Sequence, residues 1–319
     1  MKFKQEVFEK TLVLGYKGMV GSAIVRRMED QGLPAPVKAS RKEVDCLNQA
    51  DVRDYIENTK PSSIIVAAAK VGGIEANRSQ MAEFMYENII IAANVIEAAF
   101  RSNIKHLMFL GSSCIYPRMA AQPIAEDALL TGPLEESNEG YAIAKISGLK
   151  MCQYYRRQYG VCYHSVMPTN LYGKGDNYHP KNSHVLPALI RRFEEARASG
   201  AKEVTLWGTG SALREFLYAD DLADAVLFMM GIENAPDWVN VGSGEEVSIK
   251  QLAENVRNAV GIDCEIKWDH TKPDGTPRKL LDCSLLRNLG WTPKVNLNEG
   301  IKRTIEDFRS EGAEGIRRD

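Results

Sequence analysis

The run Thr11-Leu12-Val13-Leu14, followed by Gly15-Tyr16-Lys17-Gly18-Met19-Val20-Gly21, constrains this chain more than any other feature. A short apolar stretch ends at a glycine, and a helical pattern then opens at Gly18 and runs toward Arg27. Strand, glycine turn and helix in that order begin a parallel βα sheet. In such a turn the glycines let the backbone approach a pyrophosphate, and the helix amino terminus offers free N–H groups and a positive dipole. The spacing is G-x-x-G-x-x-G and not the usual G-x-G-x-x-G. Three glycines at a strand end also make an ordinary tight turn, but their place after the first strand favours a dinucleotide.

The same alternation continues. Apolar runs predict strands over 36–39, 63–68, 106–110 and 162–167, and 3.6-residue periodicity predicts helices over 50–58, 82–100, 141–159 and 186–198. Strands separated by helices of this length need crossover connections, so the expected fold is α/β, a Rossmann-type doubly wound parallel sheet. Ligands gather at the carboxyl ends of its strands. Where an NAD site places an acidic residue, the second strand ends in Ala39-Ser40-Arg41-Lys42. Arg41, supported by Ser40 and Lys42, suits a 2′-phosphate, so the expected cofactor is NADP(H).

A formal net charge of -2 across 319 residues gives no general attraction to nucleic acid or to a membrane surface. Six cysteines form neither a C-x-x-C pair nor a metal-ligand pattern, which fits reduced thiols in a cytoplasmic protein. The start, Met1-Lys2-Phe3-Lys4-Gln5-Glu6, is too charged for a secretory signal, and the apolar stretch 89–100 is too short to span a bilayer. No nucleic acid, membrane or metal is expected as a partner.

Beyond the fourth strand comes Gly111-Ser112-Ser113-Cys114-Ile115-Tyr116-Pro117, at the end of the sheet where ligands bind. Tyr141 and Lys145, four residues apart on one helix, place an ammonium beside a phenol. A fixed positive charge there is expected to lower the phenol's pKa. Ser112 holding a carbonyl oxygen and Tyr141 donating a proton make a triad with Lys145 for reversible hydride chemistry. Pro168, Thr169, Asn170 and Leu171, after the fifth strand, are expected to border a nicotinamide. Taken singly, Ser112 is also a plain strand-end cap and Asn170 a turn residue.

With these pieces assembled, the chain resembles the extended short-chain dehydrogenase/reductases, and within them the epimerase/reductases of GDP-linked 4-keto sugars. The resemblance runs nearly end to end from residue 11. It rests also on Ala67-Ala68-Ala69-Lys70-Val71-Gly72-Gly73-Ile74, Asn182-Ser183-His184-Val185, Arg214-Glu215-Phe216 and Lys272-Pro273-Asp274-Gly275-Thr276-Pro277-Arg278-Lys279. Lys17 departs from the Arg of bacterial members. The resemblance implies a substrate, GDP-4-keto-6-deoxy-D-mannose, and a product, GDP-L-fucose. It implies roles for Cys114 and His184 as the acid/base pair that inverts C3 and C5, positions acidified by the neighbouring ketone. It extends the cofactor site to Ala68, Leu110, Gly111 and Ser113. On their own, Cys114 reads as a small buried hydrophobe and His184 as a helix-start residue.

A diphosphate calls for guanidinium and ammonium groups, and Arg192, Arg214 and Lys279 are candidates. The resemblance adds Trp207 and Asp274 to the substrate contacts, although Trp207 also suits a core and Asp274 a Pro-Asp-Gly turn. Asp220, Asp221 and Asp224 fit helix capping better than metal binding. The implied organisation is a cofactor domain over 1–172, with returning segments about 214–246. A discontinuous substrate domain then covers 173–213 and 247–319. Relatives pair as homodimers through the helices corresponding to 82–100 and 141–159. The rival readings are a 4-epimerase or 4,6-dehydratase of the same superfamily and a non-catalytic NADP-binding regulator. Cys114 stands where a dehydratase needs a carboxylate, and a regulator usually lacks the intact Tyr141 and Lys145.

Overall fold

The computed structural model describes residues 5–315 except Lys181 and Pro273. The charged start at residues 1–4, the last four residues and the proline of the Pro-Asp-Gly turn therefore lie outside the described residues. Short α1 (Gln5–Phe8) leads into β1 (Thr11–Leu14), α2 (Met19–Asp30), β2 (Val37–Ala39), α3 (Gln49–Thr59), β3 (Ser63–Val66), α4 (Ile74–Ser79) and α5 (Met81–Arg101). Then come β4 (His106–Leu110), α6 (Glu139–Tyr159) and β5 (Cys162–Pro168). The second strand starts at Val37, one residue later than expected, because Pro36 has no N–H to give a ladder.

After β5 the chain forms β6 (Asn170–Tyr172), α7 (Val185–Ser199), β7 (Glu203–Trp207), β8 (Leu213–Tyr218), α8 (Ala219–Gly231) and β9 (Trp238–Val241). It ends with β10 (Glu246–Ser248), α9 (Ile249–Val260), β11 (Glu265–Asp269), β12 (Arg278–Lys279), α10 (Ser284–Asn288) and α11 (Leu297–Gly315). No described helix is long and apolar enough to cross a membrane.

Six strands make one sheet in the order β2-β1-β3-β4-β5-β9, with parallel pairing throughout. All four residues of β1 are buried because both faces of the sheet are covered. Val13 points to one core with Ile24, Met28, Leu222 and Val226, from α2 and α8. Leu12 and Leu14 point to the other, with Val52, Ile91, Val95 and Cys152 from α3, α5 and α6.

The smaller sheets lie beyond. In one, β8 pairs with β6 and β12 in parallel and with β10 antiparallel; in the other, β7 pairs with β11. Their core gathers Phe193, Leu252, Val256, Ile301 and Ile305 from α7, α9 and α11.

The aspartates of α8 do more than favour its dipole. Asp220 takes Arg26 of α2 through two bonds at 3.1 Å. Asp221 accepts the backbone N–H groups of Lys294 and Val295, and Asp224 accepts Arg27 Nε at 2.7 Å and Trp291 Nε1 at 3.0 Å. They fasten α8 to α2 and to the strap before α11, so these carboxylates are consumed by structural contacts.

Candidate active site

The glycine turn is built almost wholly from backbone. Gly15 has φ +83° and accepts the Gly18 N–H at 3.0 Å. A Cβ on Gly21 would stand 2.1 Å from Gly15 O, and one on Gly15 would stand 2.6 Å from Ala68 N at the end of β3. Those two glycines are demanded by the protein itself. Gly18 is different: its φ of -74° suits any residue, and a Cβ there would meet only Gly15 O at 3.4 Å. As the N-cap of α2 it offers no side-chain acceptor, so the helix's first-turn N–H groups, including those of Met19 and Val20, face outward without one. Such a cradle fits a pyrophosphate.

Ser40, Arg41 and Lys42 lie in the turn after β2. The Ser40 N–H donates to Glu43 at 2.7 Å, and that bond, with Lys17 nearby, holds the Glu43 carboxyl below its usual range. The Arg41 side chain is 77% exposed, with Nη2 4.0 Å from a Glu87 carboxylate that also takes Lys70 at 2.7 Å. Its fork stands ready for an anion at the edge of the cradle.

At the end of β4, Leu110 accepts the Lys145 ammonium at 2.8 Å, and Gly111 donates to Val166 O. Ser113 is buried, whereas Ser112 and Cys114 on either side of it are partly exposed. Ser112 Oγ accepts the Cys114 N–H at 3.2 Å, and its hydroxyl lies near enough to the Tyr141 phenol to pull that group's pKa down.

The expectation that Lys145 lowers the pKa of Tyr141 does not hold in this geometry. The Lys145 ammonium lies 5.7 Å from the centre of the Tyr141 ring and points to a backbone carbonyl, not to the phenol oxygen. Burial raises the phenol, the neighbouring Cys114 charge raises it further, and Ser112 only partly offsets them. Burial also lowers Lys145 to about 8.

Two donors converge on the Cys114 sulfur. Asn138 Nδ2 lies 3.3 Å from Sγ and Lys279 Nζ 3.5 Å from it. Lys279, a diphosphate candidate from sequence, thus meets the thiol. Asn138 escaped the sequence reading, although its spacing of three residues from Tyr141 puts both at one end of α6.

Asn170 Nδ2 and Thr169 Oγ1 donate to the Glu215 carbonyl, at 2.8 Å and 3.3 Å, which fixes the segment from Pro168 to Leu171 against β8. The Glu215 carboxylate, fully buried and raised by burial, accepts the N–H groups of Gly244 and Leu281 and so knits three chain segments behind the cleft. Only its place in a quoted motif marked it beforehand.

His184 enters from another wall as the N-cap residue of α7, without capping the helix by its side chain. It is open to solvent, yet the surrounding walls still lower its pKa by desolvation. Its segment reaches the cleft because Gly73 N donates to Asn182 O at 3.1 Å, joining two of the long sequence motifs.

Farther out, Trp207 is 58% exposed, which removes core packing as its reason. Arg192 and Lys272 flank its ring, with Arg192 also donating to Thr205 O at 2.8 Å. Arg214 sits beside Lys279 in register, and burial lowers its pKa. Asp274 accepts the Thr209 N–H at 2.7 Å and the Thr209 hydroxyl at 2.8 Å, bracing the loop after Trp207. A tryptophan face flanked by a guanidinium and an ammonium can receive a base and its diphosphate.

A doubly wound parallel sheet with a glycine cradle after its first strand defines a nucleotide-cofactor enzyme of the Rossmann class. Residues 11–242 match the NAD dependent epimerase/dehydratase family, and the chain belongs to it. It is 56% identical over 304 residues to the putative GDP-L-fucose synthase 2 of Arabidopsis thaliana, covering 95% of this chain and 93% of that one. It is 47% identical to the GDP-L-fucose synthase of Escherichia coli (strain K12), covering 96% and 97%. Among solved structures, the GDP-mannoheptose C4 reductase from Campylobacter jejuni with NADP bound superposes with a TM-score of 0.85 at 35% identity, covering 95% of this chain and 99% of that one.

Proposed function

We propose that the protein is an NADPH-dependent epimerase/reductase that converts GDP-4-keto-6-deoxy-D-mannose to GDP-L-fucose, inverting C3 and C5 and then reducing the C4 ketone. The observation that carries this reading is a thiol, Cys114, placed near enough to the Tyr141 phenol to act on it electrostatically, with Ser112 on the same loop. A plain reductase needs only the phenol. The close relatives named for GDP-L-fucose synthesis support the substrate.

The cradle from Gly15 to Gly21 would hold the cofactor's pyrophosphate, and Lys17, Ser40, Arg41 and Lys42 would receive its 2′-phosphate. NADPH, when bound, supplies the hydride for C4. The Cys114 thiolate removes a proton from a carbon beside the ketone, and the C–H electron pair moves onto the carbonyl oxygen, held by Ser112 and Tyr141. His184, open to solvent and able to take a proton from it, returns that proton to the opposite face, and the pair moves back into the new C–H bond. In the reduction, Tyr141 gives its proton to the C4 oxygen. Its raised pKa keeps that proton in place until negative charge develops there, and the Lys145 ammonium, 5.7 Å from the ring centre, offers the phenolate left behind a positive charge that does not outweigh burial.

Arg192, Trp207, Arg214 and Asp274 grip the GDP moiety, so a discontinuous substrate domain, 173–213 with 247–319, faces a cofactor domain. Two copies pair through α5 and α6, whose Tyr86 and Tyr154 are exposed, and the enzyme works in the cytoplasm. Incubation with GDP-4-keto-6-deoxy-D-mannose and NADPH should oxidise one NADPH per GDP-L-fucose formed. Cofactor that is never consumed would overturn the reading in favour of a 4-epimerase, and consumption without inversion would leave a C4 reductase.

A further inference from the structure

We propose that Asn138 and Lys279 form a donor pair that holds Cys114 as a thiolate, and are therefore positioning residues for the epimerising base. The inference rests on the reading of Cys114 as an acid/base group. Both polar groups lie within hydrogen-bond reach of the sulfur, at 3.3 Å for Asn138 Nδ2 and 3.5 Å for Lys279 Nζ. An ammonium has donors only, so the sulfur must accept from Lys279, and the amide presents its NH2 to the same atom. Two donors on one sulfur suit the anion better than the neutral thiol, whose sulfur accepts only weakly.

A separate observation concerns how Asn138 is used. It occupies the N-cap position of α6, where an asparagine ordinarily turns its side-chain oxygen to the first-turn N–H groups. Here it makes no such cap, and its Oδ1 is buried without a partner. The helix start forgoes a stabilising cap, and the amide faces Cys114 instead. Lys279 comes from β12, paired in register with Arg214 of β8, so the second half of the chain delivers the cation. The titratable groups against the sulfur are thus the Lys279 ammonium and the Tyr141 phenol, with Ser112 bridging on its own loop. In this arrangement the two donors favour negative charge on sulfur, while burial keeps the proton on the phenol. One residue is thereby a base and its neighbour an acid at the same pH.

The test is alkylation of the full-length protein by iodoacetamide, followed at the Cys114 peptide by mass spectrometry, with exposed Cys162 as an internal reference. Without the pair the sulfur becomes an ordinary thiol, mostly protonated at pH 7. Lys279→Met should therefore slow Cys114 alkylation at pH 7 about tenfold, leave the rate at pH 10 within about twofold, and leave Cys162 unaffected. Lys279→Arg should restore most of the lost rate, and Asn138→Ala should slow it about threefold. If Lys279→Met does not fold, the Asn138→Ala profile decides the matter alone. An unchanged rate at pH 7 overturns the proposal, as does an equal loss at both pH values, which would signal altered access to the sulfur. Cys114→Ser separates the two readings. If it blocks inversion while Lys279→Met alkylates normally, only the donor pair fails; if it inverts normally, the role of Cys114 itself fails.

Discussion

The two walls of the cleft are made of different material. The cofactor wall is a cradle of backbone spanning seven consecutive residues, Gly15 to Gly21, in which side chains matter chiefly by their absence. The reacting wall is made of side chains carried by separate elements. Ser112 and Cys114 come from the loop after β4, Tyr141 and Lys145 from α6, and Lys279 from β12, 165 residues from Cys114. A backbone site depends on local conformation and survives wherever the turn forms. A side-chain site depends on two cores docking correctly, so changes far along the chain reach the chemistry.

The largest effect should appear at the reacting wall. Tyr141→Phe keeps the ring, including its edge contact with Phe84, and removes only the proton donor. Reduction should fall about 10³-fold, with NADPH affinity within about twofold of the parent protein. A single-turnover measurement of nicotinamide absorbance, beside a fluorescence titration of NADPH, reads both quantities. Equal losses in rate and affinity would erase the contrast between the walls.

Cys114→Ser should divide the reacting wall itself. A hydroxyl is a far weaker base than a thiolate, so inversion should drop about 10²-fold while reduction at C4 continues. Proton NMR of the product then shows a sugar that retains its original C3 or C5 configuration. Fully inverted product at the parent rate would defeat the assignment.

A subtler effect follows from Lys145, which burial lowers to about 8. The folded value lies below the unfolded value of about 10.4, so between them the unfolded chain binds more protons and stability rises with pH through that window. The stabilising contribution is complete above the upper value and is lost as pH falls through the lower one. Activity should move the opposite way, falling as pH climbs through about 8, because the ammonium under Tyr141 is discharged. Melting temperature and reduction rate measured together from pH 7 to 10 should diverge, by less than about tenfold in rate. Lys145→Met should flatten the melting trend.

The same contrast explains what the sequence disclosed. The first half is legible because its longer helices show their period and its strands stand out as apolar runs between them, as β1 does with all four residues buried. The cradle was legible because its determinants are contiguous. The strands after β5 were not, since β12 has two residues and β10 three, and neither shows a period. Without those strands the sequence does not show that Lys279 comes within reach of the Cys114 sulfur. The Tyr141 pKa was misjudged for a similar reason. Helical spacing correctly placed Lys145 near the ring, but nothing local indicated that Leu110 O would draw off its ammonium or that burial would dominate.

The smallest effect lies in the cradle and discriminates between its glycines. Gly21→Ala forces a Cβ to 2.1 Å from Gly15 O, so the turn itself must shift and the melting temperature should fall. Gly18→Ala adds a methyl where the protein leaves room, at a φ that alanine adopts freely. If a pyrophosphate approaches this backbone, the methyl stands in its way. The Kd for NADPH should rise about fivefold, close to 1 kcal/mol, without loss of fold. Isothermal titration and a melting curve on that single variant settle it: lower stability with unchanged affinity would mean that Gly18 serves the turn, and that the cradle is shaped by the chain alone.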